Sequence, residues 1–426
     1  MGLLIIFLYL VALFIRPQDW YSGMIGVPVV DMILSVGILA ALLCLMQQKK
    51  SVFLAPTRFL IGYLLLCFIT NAVRGDFASG FGQFVFYVKR AAPFLMLLAI
   101  PNSFQDVRRV LKCIVFLIAF MAVQSLYQRH TGVGFAGQEM FTANYELGRA
   151  VWVGMWDGPN VLALLFVTTF PIALEFALSK GANPLSRLFY FGVCGLLLAG
   201  IHVTDSRGGF LAFLATLAVA IWLRVQNKKK AAVMGALTVF LFFTFLAPSR
   251  LSQLTTEEKS AREHTWLWEQ GLNTLEANPV LGVGKGQFGR YTGSRESLTH
   301  NNFVQNFAEM GLVGFFVYCG MFYVLLKGLH RVLRHNARHA DGLDPGQLAR
   351  PIFASLVGYA ATTFFVTMEL DAMFLWWGLG AIVLVLAQRE LKLEPLKFSL
   401  PDAGRVGFGM LGILFCVYLL AVKEIF

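Results

Sequence analysis

The sequence predicts an all-α polytopic membrane protein, and three observations lead to this class. Of the 426 residues, 57% are hydrophobic and only 14% are charged, whereas a soluble domain carries about 25% charged residues. Long apolar segments recur along the whole chain, and most basic residues lie in the short connections between them. This composition excludes an ordinary water-soluble enzyme.

Thirteen apolar segments predict about 12 transmembrane helices, because a spanning helix needs about 20 mostly apolar residues. The first segment is short and the fourth is interrupted by Lys89 and Arg90, so we expect either twelve or thirteen helices. The segments lie at 2–15, 24–46, 57–73, 80–100, 110–127, 159–178, 187–204, 209–224, 231–247, 311–328, 351–368, 373–388 and 406–422.

The basic residues predict the orientation of these helices. Alternate connections hold 21 of the 35 Lys and Arg residues, and short loops rich in Lys and Arg remain on the cytoplasmic side. The N-terminus is therefore expected inside, and two sizeable loops, 128–158 and 248–306, are expected outside. The same distribution explains the net charge of +11, so we expect no nucleic-acid partner.

This orientation divides the chain into three predicted parts: N-terminal transmembrane helices at 1–247, a periplasmic loop at 248–306 and C-terminal transmembrane helices at 307–426. The first apolar segment has no basic region before it, so we expect a retained helix rather than a cleaved signal peptide. The six cysteines form no C-x-x-C pair, which argues against a disulfide framework or a zinc site.

The larger loop has room for a small folded substructure. Trp266, Leu267, Leu272 and Leu275 recur at helical spacing with charges between them, which predicts an amphipathic helix. The dipeptide Asn278-Pro279 should end that helix. A glycine-rich turn region follows, and a second amphipathic segment at 299–309 leads into the next span.

His300 is the first candidate for chemistry. A histidine at a membrane interface most often caps a helix or forms surface hydrogen bonds. Here, however, it precedes a stripe of Asn302, Asn306 and Glu309 on one side of a helix, with Gln305 adjacent. The ordinary histidine pKa of about 6.5 also suits proton transfer near neutral pH. We therefore expect this stripe to line a site in which His300 acts.

Two arginines are candidates for binding phosphate. Arg207 lies between two apolar spans, where a charge is costly and usually faces a polar cavity or a partner; the alternatives are a salt bridge to Asp205 or an interaction with lipid headgroups. Arg262 lies in the loop, where a solvated helix face is the alternative. The planar guanidinium group suits phosphate. Further cations could add to the positive electrostatic field of these arginines: Lys89, Arg90, Arg149 and Arg290.

Several other chemistries have no support in the sequence. The segment GVGKG at 282–286 lacks the spacing of a phosphate-binding loop, and no H-E-x-x-H motif occurs. No D-x-D pair suggests a metal-bound pyrophosphate. We therefore expect neither a metal nor a cofactor.

Four segments together resemble one known superfamily. His300, Asn301, Gly311 and Gly314 fit the pattern H-[NSQ]-x9-G-x-x-G, which is typical of the O-antigen ligases and polymerases. Three further segments agree with this superfamily in order, namely WDGPN (156–160), DSRGG (205–209) and SAREHTW…NPVLGVGKGQF (260–288). The resemblance spans roughly residues 155–320. In addition, FIRPQDWY near the N-terminus is similar to the O-glycosylation ligases that accompany exosortases.

The resemblance implies a C-type glycosyltransferase fold with a cavity under the large periplasmic loop. It implies that His300 is the catalytic base, that Arg207 and Arg262 hold the diphosphate of the donor, and that no divalent metal takes part. The implied donor is a glycan on undecaprenyl diphosphate, and the implied acceptor is the lipid A–core oligosaccharide. The enzyme would act at the periplasmic face of the bacterial inner membrane.

Other functions remain open at this stage. An O-antigen polymerase or a protein O-oligosaccharyltransferase would use the same donor and the same residues. A flippase or transporter for lipid-linked sugars is the alternative from a different class, although transporters usually contain repeated halves with broken helices, and no such symmetry is evident. The sugar, its linkage and the oligomeric state are not predicted.

Overall fold

The computed structural model describes residues 2–48, 54–142, 148–179, 181–246, 259–294, 298–335 and 344–422. These residues form seventeen α-helices, two isolated β-bridges and no strand. The helices are α1 (Gly2–Phe14), α2 (Pro17–Trp20), α3 (Val29–Gln48), α4 (Ala55–Ala72), α5 (Phe77–Arg90), α6 (Ala92–Ala99), α7 (Phe104–Thr131), α8 (Pro159–Ala177), α9 (Pro184–Val203), α10 (Arg207–Arg224), α11 (Lys228–Leu246), α12 (Lys259–Ala277), α13 (Phe288–Thr292), α14 (Asn302–Arg334), α15 (Gly346–Thr362), α16 (Asp371–Glu390) and α17 (Leu400–Val422).

The predicted class is confirmed: this is an all-α polytopic membrane protein. Each of the thirteen predicted segments coincides with a helix or, for the fourth segment, with a helix pair. Within the described residues, nine helices are at least 18 residues long and apolar enough to cross a membrane, and α1 is a shorter apolar helix. The number of helices that actually cross stays a prediction.

The fourth predicted segment is two helices rather than one. The break falls at Ala91, between α5 and α6. Pro93 has no N–H to donate to the carbonyl of Lys89, so an uninterrupted helix would lose a hydrogen bond here. The break leaves Arg90 beside Asp371, with Nη1 and Oδ2 2.8 Å apart.

Burial separates central helices from peripheral ones. In α16, 94% of the residues in its most apolar 18-residue stretch are buried inside the protein, and in α8 the share is 83%. In α3 and α17 the share is only 17%, although both helices are strongly apolar. A helix that is apolar all round and buried belongs to a core, whereas the apolar surfaces of α3 and α17 are left for lipid.

The helices α8, α10 and α14 begin at the same end of the bundle. Ser206, which precedes α10, donates its hydroxyl to Asn160 Oδ1 in the first turn of α8 at 2.8 Å. The backbone N–H of Asn302 donates to the carbonyl of Thr363, just after α15, at 2.8 Å. We call this end the loop face, because α12 and the segment that leads into α14 lie there.

The opposite end of the same helices is held by a buried carboxylate. Glu175 near the end of α8 pairs with Arg224 at 2.8 Å and with Arg350 at 2.5 Å. The 18 residues of α10 separate the two ends by about 27 Å. This separation is close to the hydrocarbon thickness of about 30 Å, so the two ends lie near opposite surfaces of a membrane.

A glycine break in α14 joins the large loop to the membrane helices. Gly311 has φ 62° and ψ −165°, which interrupts the helix, and residues 279–284 lie against the break. Four backbone hydrogen bonds connect the two segments, from Val283 to Ala308, from Gly284 to Glu309, from Leu312 to Pro279 and from Val313 to Val280. The predicted amphipathic segment and the predicted span that follows it are therefore one interrupted element.

Candidate active site

Arg207 is the first residue of α10, at the loop face. Ser206 caps this helix by accepting a hydrogen bond from the N–H of Gly209 at 3.0 Å, which satisfies one of the free donors of the first turn. A Cβ at Gly209 would collide with Cβ of Ala163, and one at Gly208 would collide with the side chain of Phe365. The two glycines thus let α10 begin in direct contact with α8 and with the loop after α15.

Asn160 links a second arginine to the same helix start. Its Oδ1 accepts hydrogen bonds from Arg149 Nη2 at 2.9 Å and from Ser206 at 2.8 Å. Arg149 also donates through Nε to the carbonyl of Thr204 at 2.9 Å, and the residue is only 7% exposed. The Pro-Asn segment that opens α8 therefore brings the cations Arg149 and Arg207 to one corner of the loop face.

The predicted amphipathic helix of the loop is confirmed as α12, which ends at Ala277, just before Asn278-Pro279. Its buried side contacts the start of α14: Trp268 donates through Nε1 to the carbonyl of Thr299 at 3.1 Å, and a Cβ at Gly271 would collide with the side chain of Val304. These contacts fix α12 beside His300.

His300 lies in a left-handed backbone conformation, with φ 53°. The residues on both sides of it are held by hydrogen bonds. The N–H of Thr299 donates to Gln305 Oε1 at 2.8 Å, and Asn301 Oδ1 accepts from the N–H groups of Phe303 and Val304. The His300 ring stacks on the ring of His264 from α12, with centroids 5.0 Å apart and planes 10° apart.

The charges around His264 connect the histidines with the arginines. Burial lowers the pKa of His264 from its ordinary value to about 3, and electrostatic interactions with His300, Arg207 and Arg149 act in the same direction. These four side chains therefore share one electrostatic environment. An anion would be attracted to it, because Arg207 and Arg149 are cations.

Comparison with known proteins agrees with this arrangement. Residues 192–319 match the O-antigen ligase family, and this segment contains α10, α12 and the first half of α14, including Arg207, His264 and His300. This segment of the chain is therefore similar to the O-antigen ligases. The resemblance read from the four sequence motifs is thus confirmed.

Two relatives cover most of the chain. A protein of Rickettsia felis named "Putative polysaccharide ligase" is 24% identical over an alignment of 333 residues, and the match covers 71% of this chain and 76% of the relative. A protein of Rickettsia prowazekii with the same description is 25% identical over an alignment of 280 residues, and the match covers 61% of this chain and 63% of the relative. The match to the O-antigen ligase family and these two similarities support a ligase-type, glycosyltransferase-like enzyme of the membrane.

The other predicted site residues lie in different surroundings. Arg262 lies on the exposed side of α12, two residues before His264. Lys89 is exposed on α5, and Arg90 pairs with Asp371. Arg290 is exposed at the end of α13. Their roles stay predictions.

The predicted polar stripe after His300 is buried inside the protein and hydrogen-bonded to neighbouring elements. Asn302 binds the backbone of Met368 through both ends of its amide, at 2.7 and 3.3 Å. Gln305 donates to Glu309 at 2.7 Å, and Asn306 donates to Glu369. These side chains hold the start of α14 against the loop between α15 and α16, because buried polar groups require partners.

Lys285 completes this network, and sequence reasoning missed it. Its ammonium group contacts Glu369 and lies 3.1 Å from Glu309, and all three side chains are at most 4% exposed. The glycine-rich sequence around Lys285 does not indicate its partners, because Glu309 and Glu369 are distant in sequence. His264 was missed for the same reason, since its partner His300 lies on another element.

The described residues contain no group of three or more His, Cys, Asp or Glu side chains arranged to hold a metal ion. The arginines that lower the pKa of His264 are cations, and such an environment suits an anionic substrate. The expectation of a metal-independent reaction stays a prediction.

Proposed function

We propose that this protein is an O-antigen ligase, which transfers a glycan from undecaprenyl diphosphate to the lipid A–core oligosaccharide at the periplasmic face of the inner membrane. The observation that carries the proposal is that three side chains meet at the loop face. His300 stacks on His264, Arg207 begins α10, and Arg149 is hydrogen-bonded to Asn160 beside that helix start. A proton acceptor beside fixed cations is what transfer from a diphosphate to a hydroxyl requires.

Arginines would stabilise the leaving group. When the bond between the anomeric carbon and the diphosphate oxygen breaks, the bonding electrons remain on that oxygen. Fixed guanidinium groups aimed at this charge stabilise it without the reorganisation that water would need. We assign this role to Arg207 and Arg262. Arg149 adds to the field, and its hydrogen bond to Asn160 holds it beside the start of α10.

His300 would act as the general base. Its ring takes the proton from the acceptor hydroxyl while the hydroxyl oxygen forms a bond to the anomeric carbon. This single displacement inverts the anomeric configuration and needs no metal or cofactor. A positioned base contributes about 10²–10⁴-fold to the rate of such a step.

Three alternative functions would use some of the same residues. A polymerase would transfer the glycan to a second lipid-linked glycan, and a protein O-oligosaccharyltransferase would transfer it to a hydroxyl-bearing side chain. Both would need the same base. A flippase would need the arginines but no base, so loss of His300 would leave its activity unchanged.

The test is a ligation assay with purified protein in detergent. Undecaprenyl-diphosphate glycan and rough lipopolysaccharide are incubated with wild type or His300→Ala in the presence of EDTA, and the product is read as a lipopolysaccharide ladder on a gel. His330→Ala is the matched control, because His330 is an exposed histidine near the far end of the same helix.

We expect a ladder from wild type and from His330→Ala, and a loss of at least about 100-fold in His300→Ala, with donor binding retained. Full activity of His300→Ala would rule out the base role. No ladder from wild type, with an active donor and an active control ligase, would favour a polymerase or a protein acceptor.

A further inference from the structure

We infer that His264 is a positioning residue, whose flat ring holds the ring of His300 in the orientation needed to accept a proton. This inference rests on the proposed role of His300 as the base. It assigns a function to the stacked pair of imidazoles. His264 lies within the segment SAREHTW, in which the resemblance implied a role only for Arg262.

The position of His264 is fixed by its own helix. Trp268 lies one turn later on α12, its ring centroid 6.3 Å from that of His264. Trp268 is held in turn by its hydrogen bond to Thr299 at 3.1 Å and by an edge-on contact with Phe364 at 5.4 Å. Because Thr299 directly precedes His300, the support for both rings comes from the same short segment.

The stacked ring acts on the side chain of His300 directly. The hydrogen bonds of Thr299 and Asn301 fix the main chain on either side, and the ring of His264 adds a contact to the imidazole itself. A base is effective only when its lone pair points at the reacting hydroxyl, and a displacement of 1 Å can cost about 100-fold in rate. A parallel ring at 5.0 Å restricts the plane of the imidazole.

The properties of His264 suit this role. Its pKa of about 3 keeps the ring uncharged at the pH at which His300 would accept a proton, so His264 does not compete for it. After proton transfer the His300 ring is a cation lying over a neutral aromatic face.

An alternative role for His264 is direct proton transfer, and two variants distinguish the roles. Phenylalanine in place of His264 keeps a flat ring of similar size but cannot carry a proton. Leucine keeps much of the volume without a flat face. A ring that only positions His300 can be replaced by phenylalanine and not by leucine.

The experiment compares His264→Phe, His264→Leu and His300→Ala in the ligation assay, with kcat and donor KM measured separately. We expect His264→Phe to retain kcat within about 3-fold, and His264→Leu to lose about 10–100-fold in kcat with donor KM changed by less than about 3-fold. The melting temperature of each purified variant in detergent shows whether it is folded.

Each contrary result has a distinct meaning. If His264→Phe is as inactive as His300→Ala while remaining folded, the ring does more than position, and the inference fails. If His264→Leu keeps full kcat, the stack is not needed, and the inference fails while the base role stands. If His300→Ala keeps full activity, the base role fails, and the inference fails with it.

Discussion

Two residues at the candidate site have a left-handed backbone conformation, which residues other than glycine rarely adopt. Asp205 has φ 46° and His300 has φ 53°; the first lies two residues before Arg207, and the second carries the proposed base. Such conformations cost about 1–3 kcal/mol each and persist only where the surroundings impose them. At both positions the chain turns abruptly into a helix, which directs the adjoining side chains toward the loop face.

The depressed pKa of His264 predicts a loss of stability in acid. In the unfolded chain its pKa is about 6.5, and in the folded protein it is about 3. Between these values the unfolded state binds a proton that the folded state does not, so the free energy of unfolding falls as the pH falls below about 6.5. At pH 5 the loss is about 1–2 kcal/mol.

The measurement is the change in melting temperature between pH 7.5 and pH 5 in detergent. We expect a larger decrease for wild type than for His264→Phe, which has no group to titrate at this position. Equal decreases in the two proteins would show that another group dominates the acid response.

At this scale, the sequence singles out the residues that are proposed to act directly, but not those whose proposed role depends on a neighbour that is distant in sequence. His300 and Arg207 stand out because a polar side chain at a membrane boundary is costly. His264 and Lys285 do not stand out, because their partners lie far away in the sequence; Lys285 and Glu369 are 84 residues apart. Nothing in a single sequence pairs them.

Among the elements, the interrupted helix α14 is the structural link between loop and membrane. Gly311 has a combination of φ and ψ that essentially only glycine adopts, and a Cβ there would collide with the carbonyl oxygen of Val280. We therefore expect Gly311→Ala to lower the melting temperature in detergent by several degrees, since backbone strain of about 1–3 kcal/mol adds to the collision.

The control is Gly412→Ala. Gly412 lies inside α17, and a Cβ added there would meet nothing within 4 Å, so the melting temperature of this variant should stay at that of wild type. The comparison separates the effect of the break from the general effect of replacing a glycine. A Gly311→Ala protein as stable as Gly412→Ala would contradict the interlocked arrangement of α14 with residues 279–284.

The buried ammonium of Lys285 makes a second connection between the loop and the bundle. Lys285→Met removes the cation and leaves Glu309 and Glu369 buried without it, and breaking a buried pair in this way costs about 3–5 kcal/mol. Lys327→Met is the matched control, because Lys327 pairs with Asp402 at 2.7 Å but is 33% exposed.

We expect a large decrease in melting temperature for Lys285→Met and a small one for Lys327→Met, since partly exposed pairs contribute little. Adding Glu369→Gln to Lys285→Met should recover part of the loss, because it removes one unpaired carboxylate. Equal effects of the two lysine variants would mean that burial of the Lys285 network does not matter.

The long apolar segments of the sequence predicted the helices better than the points at which helices are interrupted. Composition alone located α8, α10 and α16, because a long run of apolar residues has one stable form in a membrane, the helix. The interruption at Ala91 and the insertion of residues 279–284 depend on contacts with distant segments. The partners of the polar stripe after His300 were not predicted for the same reason: helical spacing gives the side of the helix on which residues lie, and not what covers that side.

On the scale of the whole molecule, buried charged groups cluster at the two opposite ends of the helix bundle. The site cations lie at the loop face, and the arginine pairs of Glu175 lie at the other end of the same helices. The excess of Lys and Arg in the connections at that other end favours its location in the cytoplasm. The proposed transfer from undecaprenyl diphosphate therefore requires the loop face to be periplasmic.

Single cysteines test this orientation directly. On a background in which the six native cysteines are replaced, Glu276→Cys places a thiol on the exposed side of α12 at the loop face, and Lys229→Cys places one at the exposed start of α11 at the opposite end. Cells with a permeabilised outer membrane are treated with a membrane-impermeant maleimide, and ligation activity confirms that each variant is folded.

We expect Glu276→Cys to be labelled while the inner membrane is intact, and Lys229→Cys to be labelled only after the inner membrane is disrupted. The two positions differ in face but both are exposed, so a difference in labelling reports the side of the membrane rather than burial. The reverse pattern would place His300 and its arginines in the cytoplasm, where the proposed periplasmic acceptor is absent, and the ligase assignment would fail with it.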